Sequence, residues 1–215
     1  MNTHESHNRA FFGRWAKKYD RLRSRLFFEP LYRKIISLLK QVEVQNFEPL
    51  LLGTGTTMLD VACGTAEVLY RLAHEFPATQ FTGLDLTPEM IATARSKTNK
   101  LTNLTFREGN ASSLPFPDQT FNIILCSEAF HHFSEPGNTL REIHRVLKPG
   151  GLFLLADIAF NNRVLKYLVT KIIKPLEYAH AYYSRDELAQ FLLNAGFSII
   201  QIKTYWWNNF VLGKK

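Results

Sequence analysis

Cysteine is scarce: two residues, Cys63 and Cys126, in a chain of 215. That excludes a disulfide framework and points to a reducing compartment. Long apolar runs are absent as well. Residues 151–156 form one of the longest, far short of the roughly 20 residues a membrane-crossing helix needs. The first ten residues are polar, with His4, Glu5 and His7, and do not read as a secretory signal. Charged residues make up 21% and hydrophobic residues 46%, which argues against bulk disorder and fibrous repeats. No internal repeat or low-complexity tract is present. We therefore expect a soluble cytoplasmic chain forming a single domain.

What is present in excess is positive charge, and it is unevenly spread. The formal net charge is +7. Residues 1–48 hold ten Lys/Arg against five Asp/Glu, and residues 160–176 hold Arg163, Lys166, Lys171 and Lys174 with no acid. Either these are solvated helix faces, or they meet an anionic partner such as nucleic acid, a lipid headgroup or an acidic metabolite.

Apolar residues at spacings of three and four predict helices over 9–28 and 30–45, the second with Pro30 in its first turn. From there the pattern alternates. Strands are predicted at 57–62, 81–86, 104–107, 121–127 and 152–157. Helices are predicted at 67–76, at 88–94 behind an N-cap at Thr87, and at 135–147, stopped by Pro149-Gly150-Gly151. The strands are continuously apolar, as Ile123, Ile124 and Leu125 illustrate, which means burial on both faces and a parallel sheet between helices. A helical insertion follows at 161–174. Ser184 with Glu187 has capping-box spacing, Gly196 ends that helix, and two tightly joined strands at 197–204 and 206–212 close the chain. The division expected is a helical cap at 1–48, a core at 55–157, a lid at 160–183 and a closing helix and strand pair at 184–215.

In a doubly wound α/β sheet, ligands bind at the carboxyl ends of the strands. The first strand delivers Asp60 and a turn of small residues, Ala62, Cys63, Gly64, Thr65 and Ala66, which lets backbone approach a ligand. The second ends at Asp85, an acid at the offset that suits ribose hydroxyls. Its alternative role, a helix N-cap, is already filled by Thr87. The third ends at Gly109-Asn110-Ala111, where the Asn110 amide suits an adenine edge or simply forms a turn. The fourth ends at Cys126-Ser127-Glu128, followed by Phe130, His131 and His132. The fifth ends at Asp157.

These motifs, in this order, resemble the class I S-adenosylmethionine-dependent methyltransferases, in particular the small-molecule and quinone or lipid branch. The residues that carry the resemblance are MLDVACGTA at 58–66, GLDLTPEM at 83–90, Gly109-Asn110-Ala111 through Leu114-Pro115-Phe116, FNII at 121–124 and LREI…LKPGG over 140–151. The resemblance implies a Rossmann-like sheet of seven strands, mostly parallel, with the last antiparallel. It implies that the 60–66 loop, including Asp60, Ala62, Gly64 and Thr65, meets the methionine part of the cofactor. Asp85 would then hold the ribose, Leu86 the adenine face, Asn110 and Ala111 the adenine edge, and Ser127 the amino-acid moiety. FFGRWAKKYD at 11–20 resembles the branch's N-terminal signature, whose tyrosine, here Tyr19, closes over the cofactor or packs in its helix. Two features depart from the pattern. Ala62 and Ala66 stand where glycine is usual, harmless only if their φ is negative, and Asn110 stands where aspartate is usual.

The reaction implied is an in-line displacement from a sulfonium that already activates its methyl group, leaving S-adenosylhomocysteine. The chain's main task is then to position the acceptor. A base is needed only for an acceptor protonated at neutral pH, and His131, His132 and Asp157 are the candidates. No metal is expected, because adjacent histidines diverge and no further ligand stands at metal spacing. The cysteines read as small buried residues.

Residues 163–174 form a basic amphipathic pattern. Leu165, Leu168, Val169, Ile172, Ile173 and Leu176 fall on one side and Lys166, Tyr167, Lys171 and Lys174 on the other. It reads as ordinary packing, as a lid over an apolar acceptor, or as a shallow membrane contact through 160–176. Tyr178, Tyr182, Tyr183, Trp206 and Trp207 read as walls of that pocket or as core. The partner expected is a small-molecule or lipid-like acceptor. A nucleic-acid substrate rests on the basic N-terminus alone, and the Asn-Pro-Pro-aromatic and cysteine motifs of nucleic-acid methylases are missing. A non-catalytic cofactor-binding scaffold rests on Ala62 and Ala66.

Overall fold

The computed structural model describes residues 2–19, 28–41, 52–160, 162–172 and 179–215. The chain opens with α1 (Thr3–Trp15), followed by a short 3₁₀ turn, Ala16–Lys18. The expected start at residue 9 is corrected to Thr3. Asn2 accepts from the Glu5 N–H and the Glu5 carboxylate accepts from the Asn2 N–H, a full capping box. The second helix, α2, is Glu29–Gln41. The expected helical residues 20–28 and 42–45 lie outside the described residues except Phe28.

Alternation then proceeds through β1 (Thr57–Val61), α3 (Glu67–Glu75), β2 (Gln80–Asp85), α4 (Pro88–Lys97), β3 (Leu104–Glu108), β4 (Phe121–Ser127) and α5 (Pro136–Val146). The fifth strand, β5, runs Leu147–Ile158, and α6 is Arg163–Ile172. The chain closes with α7 (Arg185–Asn194), β6 (Ser198–Tyr205) and β7 (Asn208–Lys214). The Ser184–Glu187 capping box forms as expected.

All seven strands join one sheet in the order β3-β2-β1-β4-β5-β7-β6. Only β7 runs against its neighbours, inserted between β5 and β6. Alternate residues of each strand feed opposite faces. Ile123 and Leu125 pack with Leu69, Leu72, Ile35 and Leu38 beneath α2 and α3, while Ile124 and Cys126 pack with Leu140, Ile143, Leu188 and Leu192 beneath α5 and α7. This is the three-layer sandwich that doubly buried strands demand.

Other element ends differ from expectation as well, including α4, which runs on to Lys97. Helix α5 stops at Val146, and Pro149-Gly150-Gly151 lie inside β5 rather than between elements. The reason is long-range: the Gly150 N–H donates to the Lys215 carbonyl and the Lys215 N–H donates to the Gly151 carbonyl. In the closing hairpin Tyr205 already pairs with Asn208, so Trp206 and Trp207 form the turn instead of starting a strand. Trp206 sits at φ +57, the positive φ that two-residue hairpin turns require.

Candidate active site

The carboxyl ends of β1, β2, β3 and β4 border two cavities that meet. The larger has about 820 Å³ of empty space, partly open to solvent, and the smaller about 430 Å³. Tyr19, Ala62, Gly64 and Glu128 line both. Asp85, Leu86, Asn110 and Ala111 line the larger, and Asp60, Thr65 and Ser127 the smaller. All ten residues expected at a cofactor thus border this double cavity.

The turn after β1 is strained. Ala62, Gly64 and Ala66 sit at φ +61, +55 and +60. The condition set for harmless alanines, a negative φ, is therefore not met, and both hold a left-handed backbone that costs an L-residue about 1 kcal/mol or more. What the strain secures is visible at Asp85. The Gly64 N–H donates to Asp85 Oδ2 at 2.8 Å, and the Thr87 N–H donates to Oδ1 at 2.9 Å. Thr87 stands at the N-cap of α4 but makes no side-chain cap, so Asp85 does part of that work through an Asx turn. This corrects the division of labour expected between the two. Each Asp85 oxygen keeps lone pairs for a further donor.

Burial raises the pKa of Asp85, opposed by these backbone N–H groups, and raises that of Asp60 well above the usual carboxylate range, with the Asp85 charge adding to it. Asp60 Oδ1 has no hydrogen-bond partner among the described residues. A buried acid pair with an orphaned oxygen beside a cavity is suited to a ligand that brings donors and positive charge.

Asn110 is committed differently from expectation. Its Oδ1 accepts from both the N–H and the hydroxyl of Ser112, each at 2.9 Å. What it offers a base edge is its amide N–H donors.

The histidines divide. His132 lines the larger cavity, its ring edge-on to Phe12 at 5.1 Å between centroids. His131 is buried behind it. Its Nδ1 lies 2.6 Å from Asp157 Oδ1, its N–H donates to Asp157 Oδ2 at 2.8 Å, and its ring stacks on Tyr182. Asp157 is fully buried and, like His131, lines neither cavity. Cys126 is buried, whereas Cys63 is half-buried on the smaller cavity. Burial pushes both thiols up, which leaves them poor nucleophiles. Among the described residues no group of three or more His, Cys, Asp or Glu is arranged to hold a metal.

Helix α1 roofs the larger cavity with Phe12 and with three residues of a stretch that reads as merely polar in the sequence, Glu5, Asn8 and Arg9. Asn2 donates to the Ser134 hydroxyl at 2.8 Å, His4 Nε2 lies 3.0 Å from the His132 carbonyl, and Arg9 pairs with Glu108 at 3.0 Å. The signal was available in the capping-box spacing of Asn2 and Glu5. Glu128 was also missed as a site residue. It holds φ +53 where both cavities meet, a strain of the kind that clusters at functional sites. The aromatic walls are Phe12, Tyr19 and Phe133. Tyr182 and Tyr183 are core, Trp206 and Trp207 are exposed, and Tyr178 lies outside the described residues.

A family model described as a methyltransferase domain matches residues 52–204. The chain belongs to that methyltransferase family. The demethylmenaquinone methyltransferase of Geobacillus sp. (strain WCH70) is 30% identical, over 90% of this chain and 89% of its own. That of Chlorobaculum parvum is 38% identical over 52% of this chain and 45% of its own. A SAM-dependent methyltransferase from Aquifex aeolicus superposes with a TM-score of 0.63 at 26% identity, covering 85% of this chain and 97% of that one. This is thus a class I, S-adenosylmethionine-dependent methyltransferase on a Rossmann-like fold. No helix among its described residues is long and apolar enough to cross a membrane.

Proposed function

We propose that this methyltransferase methylates a quinol-like aromatic acceptor with an apolar body. The observation that carries the reading is the joining of the two cavities at Gly64, Tyr19 and Glu128, with His132, Phe12 and Phe133 on the outer side. The smaller cavity suits the methionine part of the cofactor, with Asp60, Thr65 and Ser127 as its contacts. Asp85 would accept from the ribose hydroxyls, Leu86 and Ala111 would flank the adenine, and the Asn110 amide would donate to a ring nitrogen. When bound, the cofactor supplies an electrophilic methyl group. The aromatic walls Phe12, Tyr19 and Phe133 would hold the acceptor ring in the larger cavity. The acceptor gains the methyl and loses one proton, which His132 takes from a hydroxyl as the new bond forms. His131 is the positioning residue behind it, locked by Asp157 in the tautomer that donates from Nδ1. The names of the Geobacillus and Chlorobaculum relatives support a quinone-derived acceptor.

The test is incubation with S-adenosylmethionine and a reduced naphthoquinol, read by mass spectrometry as gain of one methyl. His132→Ala should lower kcat about 10²–10⁴-fold and leave cofactor affinity by calorimetry unchanged. Asp85→Ala should abolish cofactor binding. Cofactor binding without turnover on any quinol or phenol would favour the scaffold reading instead.

A further inference from the structure

Helix α6 does not pack as an amphipathic helix should. Of its apolar side chains, Val169 is buried against Phe160, Ala179 and Tyr182. Leu168 and Ile172, on the apolar side of the pattern, are 47% and 62% exposed, and Val164 and Tyr167 are more than half exposed as well. The expected Ile173, Lys174 and Leu176 lie outside the described residues. A second apolar point stands nearby. The Trp207 carbonyl accepts from the Ala159 N–H at 2.9 Å, just before the chain enters α6, so the Trp206–Trp207 turn and α6 leave the same end of β5. Trp206 is 59% exposed and stacks on Tyr205.

Lysines stand at both. Lys166 and Lys171 lie on α6, with Lys166 paired to Glu187, and Lys34 stands over the Tyr205 ring. Residues 160–176 contain no acid. Exposed aliphatic side chains, tryptophans at a turn and nearby lysines match the interface of an anionic bilayer, where tryptophan sits at the headgroups and lysine meets lipid phosphate.

We propose that α6 and the Trp206–Trp207 turn dock this methyltransferase on a bilayer containing anionic lipid. The surface stands on its own exposure and charge, and the quinol reading supplies only its purpose. Behind it the packing is continuous: Val169 shares a buried cluster with Tyr182, and Tyr182 stacks on His131, beside His132 at the cleft. An acceptor dissolved in the bilayer would enter from the side on which the enzyme rests.

The experiment is sedimentation of the full chain with phosphatidylcholine vesicles, with and without phosphatidylglycerol. The wild type should pellet with the anionic vesicles, less so as salt rises, and its tryptophan emission should shift to the blue. Leu168→Ser/Ile172→Ser should weaken pelleting at least about tenfold, and Trp206→Tyr/Trp207→Tyr should remove most of the blue shift. Both variants should keep wild-type cofactor affinity, which confirms that they fold. Equal pelleting of the wild type and the serine variant, or none on either vesicle, overturns the proposal. So does a vesicle-free dimer that the serine variant converts to monomer. Vesicle binding without quinol methylation would leave docking intact and sink the acceptor reading, and methylation in detergent without vesicle binding would do the reverse.

Discussion

Ala62 and Ala66 share a left-handed backbone but differ in surroundings, and this separates their energetics. Ala62 is half-buried, so Ala62→Gly removes strain with little lost packing and should stabilise the fold by about 1 kcal/mol. Ala66 is fully buried against the helix-side core, so its lost methyl, worth about 0.8 kcal/mol, offsets most of the same gain. Urea unfolding of the two variants should rank them in that order. Asp60 acts in the opposite sense to most carboxylates. Its folded pKa is raised, so the native state holds a proton that the unfolded state releases. Its contribution is fully present below the unfolded value near 3.8 and is lost as pH rises through the raised one. Asp60→Asn should therefore flatten the fall in stability with rising pH, measured as denaturation midpoints across a pH series without cofactor. The residue types at these positions were legible from the chain alone. The signs of φ at 62 and 66, and the capture of Asp85 by two backbone N–H groups, were not, because both arise from how the β1 turn meets the end of β2.

Among the elements, α2, α3 and α4 are tied by one charged cluster. Arg71 forks onto Glu29 at 2.7 and 3.0 Å and also meets Glu67, which Lys97 reaches at 3.0 Å. The Arg71 guanidinium holds the Glu29 carboxyl down at about 2. The pair's contribution is therefore present above about pH 4.5 and lost as pH falls toward about 2. Arg71→Ala should cost about 1–2 kcal/mol at neutral pH, more than an isolated exposed pair, and much less in acid. Thermal melts at the two pH values would check it. Elements bounded by local chemistry were readable: Ser184 with Glu187, Pro88 behind Thr87, and the apolar runs of β1 and β4. Those bounded by distant partners were not. Helix α5 yields to β5 because Lys215 pairs with Gly150 and Gly151, and Leu168 and Ile172 keep helical spacing without a core to face.

For the molecule as a whole, the ligand cavities are framed by α1 on one side and strand ends on the other, so occupancy should tighten the entire domain. S-adenosylmethionine or S-adenosylhomocysteine at a hundredfold excess over Kd should add about 2.7 kcal/mol. For a chain of this size that raises Tm by roughly 5–10 °C. A thermal scan with and without each ligand measures it, and Asp85→Ala should show no shift. The position of β7 has a consequence of another kind. It is the last strand in sequence, yet it lies between β5 and β6. While the chain is still being synthesised, β5 has an open edge and β6 has no neighbour at all. The sheet cannot close until β7 leaves the ribosome. A nascent chain, or one terminated ahead of β7, would therefore present a bare, apolar β5 edge, a target for chaperones and proteases, and a stop codon just before Asn208 should be nearly as damaging as an early one.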